Sequence, residues 1–399
     1  MNLKPKKPTF SLFEVLVLTF MASLVMSLTT GFVVYRNKAT AGCDIAINNP
    51  HVGEFLKSYN QIVSEYYGEI DEPGLIRSAI NGMMEFLNDP YTTYLNPDGT
   101  QTLIDSLKGT YEGIGIEVTE NEEELIVVAR VFRESPAYKA GVLAGDIIRE
   151  INGTNVEGMT AVEAVEIIRA SVDKKVELIV TRGAQRLTFN MTMTTLFLPT
   201  IDSDIFNNNN QRVGYINISR FTEVIGDQFR RELKRLEDQG IDSLIIDLRG
   251  NQGGYLKGAS DIASQFLKKN ALIYSMRSRL ETTHERVASN ETRDYKVYVL
   301  INGGSASASE ILAAALKYSY GNTRLIGSTS YGKGLIQQTS PLSSGSMLKF
   351  TTAEWLTPRG KSVEGRGLTP CVEVEMLESF DGTRESDNQL QRAIQEISR

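Results

Sequence analysis

The segment GGSASASEILAAALK, Gly303 to Lys317, places Ser305, Ser307 and Ser309 at alternate positions immediately before a run that reads as helix. A serine here has two uses. Its oxygen can accept an orphan N–H of the first helical turn, or it can attack a carbonyl if a base removes its proton. The segment alone leaves both open. The chain has only two histidines, His51 and His284. Neither sits at the end of a strand-like run, so a Ser-His-Asp arrangement has few places to form. A lysine whose amine is neutral near the working pH can replace histidine, and burial in a dry pocket lowers a lysine pKa for that purpose. Lys333, in Tyr331-Gly332-Lys333-Gly334, is the candidate. The flanking glycines let the backbone pass close to another element. On composition alone a plain turn competes. A phosphate loop does not fit, because GxxxxGK[ST] is absent and Gly334 follows the lysine.

Around these residues the chain reads as several domains. Its length, 399 residues, suggests two or three. The formal charge of −7, with no long basic run beyond the first residues, argues against nucleic acid as a partner. Cys43 and Cys371 are the only cysteines, and they suggest neither a disulfide scaffold nor a metal site. Lys4, Lys6 and Lys7 precede an uncharged run from Val15 to Tyr35 that would span about 30 Å as a helix. The expectation is a basic cytoplasmic tail over 1–11, a transmembrane helix over 12–35 and a body outside the membrane. A cleaved signal peptide and a buried helix are the competing readings. Thr40 to Cys43 also looks like a lipoprotein cleavage box.

Residues 45–108 are expected to form a helical region, with FLKSYNQIVSEYY and PGLIRSAINGMMEFL carrying apolar faces at helical spacing. Residues 109–192 give a separate pattern. GIGIEVTENEEELIVVARVF reads as two strands, TAVEAVEIIRASV as a helix capped by Thr160 and Glu163, and KKVELIVTRGAQRLTFNM as two more strands. From Arg212, strand, loop and helix repeat, which implies a partly parallel sheet receiving ligands at strand C-terminal ends. Residues 271–295 read as irregular.

The 109–192 region, and above all GVLAGDIIREINGTNV, resembles a PDZ domain in the order found in bacterial proteases. By that resemblance Gly113, Ile114, Gly115 and Ile116 receive a peptide C-terminus. A glycine-containing turn can hold a carboxylate on its N–H groups, and the next strand edge can pair with the peptide. NGGSASASEILAAAL and STSYGKGLIQQ closely resemble two motifs of the C-terminal processing peptidases, the tail-specific S41 proteases with a Ser/Lys dyad. LRGNQGG resembles a third, with Gln252 where proline is common, and TPRGKSVEGRGLTP matches the end of the core.

The resemblance implies an α/β (mixed α+β) protease core over 193–380, with a PDZ domain, an N-terminal transmembrane helix and a C-terminal tail over 381–399. It assigns Ser307 as nucleophile, Lys333 as general base and Gln337 as a support for the lysine. Ala308 N–H and the Gly253-Gly254 loop would form the oxyanion hole, and Arg169 stands where related enzymes carry a gating arginine. The interval from Ser307 to Lys333 is one residue longer than the family pattern, and the extra residue is placed in KYSYGNTRL. Glu354 and Trp355 read as structural or substrate-adjacent.

The implied protein is a bacterial, membrane-anchored, extracytoplasmic serine endopeptidase. It acts on proteins with accessible C-termini, has no cofactor or metal, and forms a homodimer through its N-terminal helices and tail. The alternative is a PDZ scaffold on an inactive protease-like core. An unrelated α/β hydrolase ranks last, because no G-x-S-x-G elbow is present.

Overall fold

The computed structural model describes residues 49–121, 123–198, 200–288 and 292–397. The expected transmembrane helix and Cys43 lie outside them. Among the described residues, no helix is long and apolar enough to cross a membrane. The chain divides into two units at Met83 and Met84.

In the first unit Asn49 accepts the His51 N–H at 3.0 Å and opens the helix Pro50–Glu65, with proline in its first turn. A second helix, Glu72–Phe86, begins there and runs past the division. Tyr59 Oη donates to Glu72 Oε2 at 3.2 Å, tying the start of the second helix to the first. Phe55, Leu56, Ile62 and Met83 are exposed.

The second unit opens with a difference from expectation. The stretch read as helical to residue 108 contains the strand Thr93–Leu95, which pairs antiparallel with Met347–Leu356, before the helix Pro97–Lys108. Three residues carry too little pattern to announce a strand, and the partner that makes it one lies far along the chain.

The PDZ segment is an antiparallel sheet in the order Ile116–Glu120, Ile126–Val131, Ile147–Ile151, Lys175–Arg182, Gln185–Thr192. Alternating apolar positions such as Val176, Leu178 and Val180 bury one face. The helix Ala161–Arg169 starts with the expected capping box. Thr160 Oγ1 accepts the Glu163 N–H at 3.3 Å, and Glu163 Oε2 accepts the Thr160 N–H at 2.8 Å. A short ribbon, Thr110–Gly113 against Thr194–Phe197, joins this domain to the rest of the chain.

The core beyond it holds a six-stranded sheet ordered Ile201–Asn208, Gln211–Ile218, Ser243–Asp247, Lys296–Ile301, Thr323–Gly327, Val372–Glu373. The first strand is antiparallel to the second, and the rest are parallel. Ser243–Asp247 is buried at every position, as an interior parallel strand covered on both faces should be. The helix Ala308–Ala315 is also buried throughout. Its alanines let it sit close to the sheet, while Ile311 and Leu312 contribute about 1.5–3 kcal/mol each. A second sheet contains Leu335–Pro341, Met347–Leu356, Leu272–Ser278 and Thr282–Arg286. The last two strands replace the irregular 271–295 of the sequence reading, where Arg277, Arg279 and Glu281 interrupt any simple alternation.

Candidate active site

Four loops meet at the C-terminal ends of neighbouring parallel strands. Ser219 and Arg220 follow Gln211–Ile218, and residues 248–254 follow Ser243–Asp247. Residues 302–307 follow Lys296–Ile301, and 328–334 follow Thr323–Gly327. They border a cavity of about 460 Å³ whose lining includes Ser307, Lys333, Gln337, Gly253, Gly254 and Gln252. The strand end is where an open α/β sheet receives ligands.

The three serines separate by their partners. Ser305 is fully buried. Its Oγ donates to Leu248 O at 2.8 Å and accepts the Asn302 N–H at 3.0 Å. Ser309 is also fully buried and donates to Asn251 O at 2.8 Å. These two hydroxyls bind the loop 248–251 to the helix start. Ser307 alone is half-buried and lines the cavity. Its backbone has φ 55° and ψ −113°, a conformation that costs a non-glycine residue on the order of 1–3 kcal/mol and persists only where the surroundings enforce it.

Glu310 supplies much of that enforcement. The side chain is wholly buried, three residues beyond Ser307. Oε2 accepts the N–H of Ser307 and the N–H of Lys333, each at 2.9 Å. Oε1 accepts Ser330 Oγ–H at 2.6 Å and the Gly332 N–H at 2.8 Å. One carboxylate thus fastens the loop carrying the serine to the loop carrying the lysine. Glu310 is also the acidic residue of the first helical turn, a place that suits the helix dipole. The S-x-x-E spacing from Ser307 was the available signal for the first of these bonds. The others require the 328–334 loop to return.

The Lys333 backbone is held on its other side too. Trp355 Nε1 donates to Lys333 O at 2.9 Å, and Gly334 N–H donates to Glu364 Oε2 at 2.6 Å. Trp355 thus holds the Lys333 backbone, while Glu354 pairs with Arg277. The Lys333 amine lies 4.6 Å from the centroid of the Tyr91 ring and makes no hydrogen bond to Ser307. Burial holds its pKa below the ordinary lysine value, and the positive charge of Lys349 adds to the depression against Glu364, Asp89 and Glu310. Tyr91 was not singled out in the sequence. It follows Pro90 in a turn closed by Asp89, whose carboxylate accepts the Tyr91 N–H at 3.0 Å and Thr92 Oγ1 at 2.6 Å.

The remaining candidates are placed as follows. Gln337 lies on the strand Leu335–Pro341. It faces the cavity, and its amide donates to Thr351 Oγ1 at 3.3 Å, not to Lys333. The Gly253 N–H is taken by Asn251 Oδ1 at 2.9 Å, which leaves Gly254 and Ala308 as the backbone donors to consider. Gly253 has φ 97°, and a Cβ there would stand 2.9 Å from Ser307 Cβ and 3.0 Å from Ala308 N, so only glycine lets this loop close on the serine. The stretch over 317–325, where the sequence reading put an extra residue, overlaps a π turn, Leu316–Tyr320.

In the PDZ segment Gly113 ends one strand, Ile114 is buried, Gly115 has φ 84°, and Ile116 opens Ile116–Glu120. That strand is the edge of its sheet among the described residues. Arg169 pairs with Glu166 at 3.3 Å and borders a different cavity, shared with Tyr111, Glu112 and Arg220. His51 and His284 are exposed, and neither lines the serine cavity.

Comparison with known proteins assigns the segments of the chain to families. Residues 212–374 match the model of peptidase family S41, 103–181 that of the PDZ domain, and 34–99 that of the activating protease CtpB N-terminal domain. The chain is 33% identical over 372 residues to the carboxy-terminal processing protease CtpA of Bacillus subtilis (strain 168), covering 93% of this chain and 78% of that one. It is 36% identical over 328 residues to CtpB of the same organism, covering 81% and 68%. The structure of a putative S41 protease from Bacteroides fragilis NCTC 9343 shares the fold with a TM-score of 0.54 at 17% identity, over 84% of this chain and 98% of that one. With its PDZ domain and a serine and a lysine on one strand-end cavity, the chain belongs to the S41 family of serine-type carboxy-terminal processing proteases.

Proposed function

We propose that Ser307 and Lys333 form the catalytic dyad. The observation that carries this reading is that both line one cavity while a single buried carboxylate, Glu310, holds the backbone N–H of each. In the proposed reaction the Lys333 amine swings from the Tyr91 ring to Ser307 and takes the hydroxyl proton. The oxygen attacks a peptide carbonyl, and the N–H groups of Ala308 and Gly254 receive the oxyanion. Gly253 shapes that hole through its backbone and does not donate to it. Lys333 then protonates the leaving amine, and water releases the acyl group. Catalytic contacts that are loose without substrate and tighten with it are common. Gln337 orients substrate or lysine from the cavity wall.

The PDZ segment takes the substrate C-terminus along the edge of Ile116–Glu120, with Gly113 to Ile116 around the carboxylate. Arg169 belongs to the link between that domain and the core. Residues 12–35 anchor the chain in the bacterial cell membrane with the body outside, and two copies associate through the N-terminal helices and the tail.

The test is cleavage of an unfolded protein with an apolar C-terminus by the full-length chain and by Ser307→Ala and Lys333→Ala. Loss of cleavage in both, with folding intact, is expected. Undiminished activity in either sinks the dyad. Amidating the substrate C-terminus should raise KM if the PDZ domain captures it. Protease accessibility of the body in intact cells checks the topology.

A further inference from the structure

The cavity at Ser307 is one-sided in charge. Its charged lining residues are Arg220, Lys333 and Lys349, and among the described residues no aspartate or glutamate lines it. The chain as a whole has more acidic than basic residues, 49 against 42. A cavity wall drawn at random from it would carry carboxylates. Neither Arg220 nor Lys349 has an ion-pair partner among the described residues: Arg220 donates to the Ser106 hydroxyl, and Lys349 faces Thr93 and Thr339 across its two strand pairings.

The carboxylates nearest Lys333 are already committed. Glu310 and Glu364 hold backbone N–H groups of residues 332–334, and Asp89 holds its own turn. Cations left without counter-ions in a partly enclosed site await an anion from outside. The rest of the wall mixes polar side chains such as Gln252, Gln337 and Thr339 with an apolar patch of Leu103, Leu107, Leu256 and Leu335.

We infer that this cavity selects substrate segments presenting a carboxylate beside an apolar side chain, with Arg220 and Lys349 as the recognising cations. The inference rests on the protease reading and adds a substrate class to it. Lys333 is not assigned to recognition, because its amine must be free to take a proton. The carboxylate has two sources, an aspartate or glutamate near the scissile bond or a free chain end a short distance beyond it.

The test measures kcat/KM of the full-length chain on peptides that differ only beside the cleaved bond, carrying Glu, Gln or Lys, each with a free and an amidated C-terminus. At low salt the Glu peptide should be cleaved roughly tenfold faster than the Gln peptide, and the gap should narrow as salt screens the pair. Lys349→Glu and Arg220→Glu should each shrink or reverse the Glu-to-Lys ratio. The ratio is the readout because Lys349 also acts on Lys333 and changes all rates together. A Glu-over-Gln preference kept by the amidated peptides assigns the side chain as source, whereas equal Glu and Gln rates that fall together on amidation, with the fall removed in Arg220→Glu and Lys349→Glu, assign the chain end. Equal rates for all peptides, or a preference that both reversals leave untouched, overturns the inference while the cleaved Gln peptide keeps the protease reading intact. No cleavage of any peptide by the folded chain overturns both.

Discussion

Glu310 holds the backbone of Lys333: its Oε2 accepts the Lys333 N–H at 2.9 Å. The same oxygen takes the N–H of Ser307, and its twin takes Ser330 and Gly332. Glu310→Gln turns one acceptor atom into a donor facing donors. We expect kcat/KM to fall by about a hundredfold through misplacement of the dyad. Stability should drop by about 2–4 kcal/mol as buried N–H groups lose partners. Peptide kinetics and thermal melts on the same preparation check both. Full activity would show that the loops hold their places without this carboxylate.

The neighbouring serines offer an internal control. Ser307→Ala should lower kcat by roughly 10⁴-fold or more, with the melting temperature nearly unchanged because alanine keeps the Cβ and the same backbone strain. Ser305→Ala and Ser309→Ala should each cost about 1 kcal/mol, since Leu248 O and Asn251 O each lose one of two donors, while cleavage persists. A dead but stable Ser309→Ala would move the nucleophile.

The pH dependence follows from Lys333. Burial disfavours its charged form, and Lys349 disfavours it further, so its pKa lies below the ordinary lysine value. A general base must be neutral to act. Activity should therefore rise with pH through that depressed pKa and level off above it. Lys349→Gln removes a like charge, which raises the Lys333 pKa and moves the rising limb to higher pH. A limb that stays in place in Lys349→Gln would separate the two lysines.

Arg249 ties the loop behind the cavity to the end of the chain. Its guanidinium, 12% exposed, meets Asp247 at 2.6 Å and Asp387 at 2.6 Å, and Gln389 accepts from it at 3.1 Å. Asp387→Ala leaves the arginine short of a partner in a buried place. A loss of about 3–5 kcal/mol is expected in denaturant melts, with a lower kcat because Gly250 to Gly254 follow Arg249 directly. An unchanged melt would mean that the tail merely rests on the core.

How much of this was legible in the sequence depends on the distance over which each feature is decided. The PDZ strands, the Thr160–Glu163 cap and the buried run Ser243–Asp247 are set by local pattern and could be read directly. Ser307 and Lys333 were proposed through motif resemblance after the histidines proved badly placed. Thr93–Leu95 and Leu272–Ser278 become strands because Met347–Leu356 lies between them, and nothing in their own composition says so. The partners of Gln337 and the Gly253 N–H, and the ring beneath the lysine, are three-dimensional facts. A side chain's neighbour across a sheet, or across a tight loop, is not written beside it.

The ring of Tyr91 under the Lys333 amine has a consequence for the order of assembly. Tyr91 precedes a strand that docks on Met347–Leu356, with Tyr94 Oη reaching Ser346 Oγ at 2.7 Å. The housing of the proposed base therefore closes only when an early segment meets a late one, and such long-range pairings are the slow ones in folding. During synthesis the serine, the lysine and the ring remain apart until most of the chain exists. A nascent protease built this way has no finished site with which to cut its neighbours or itself.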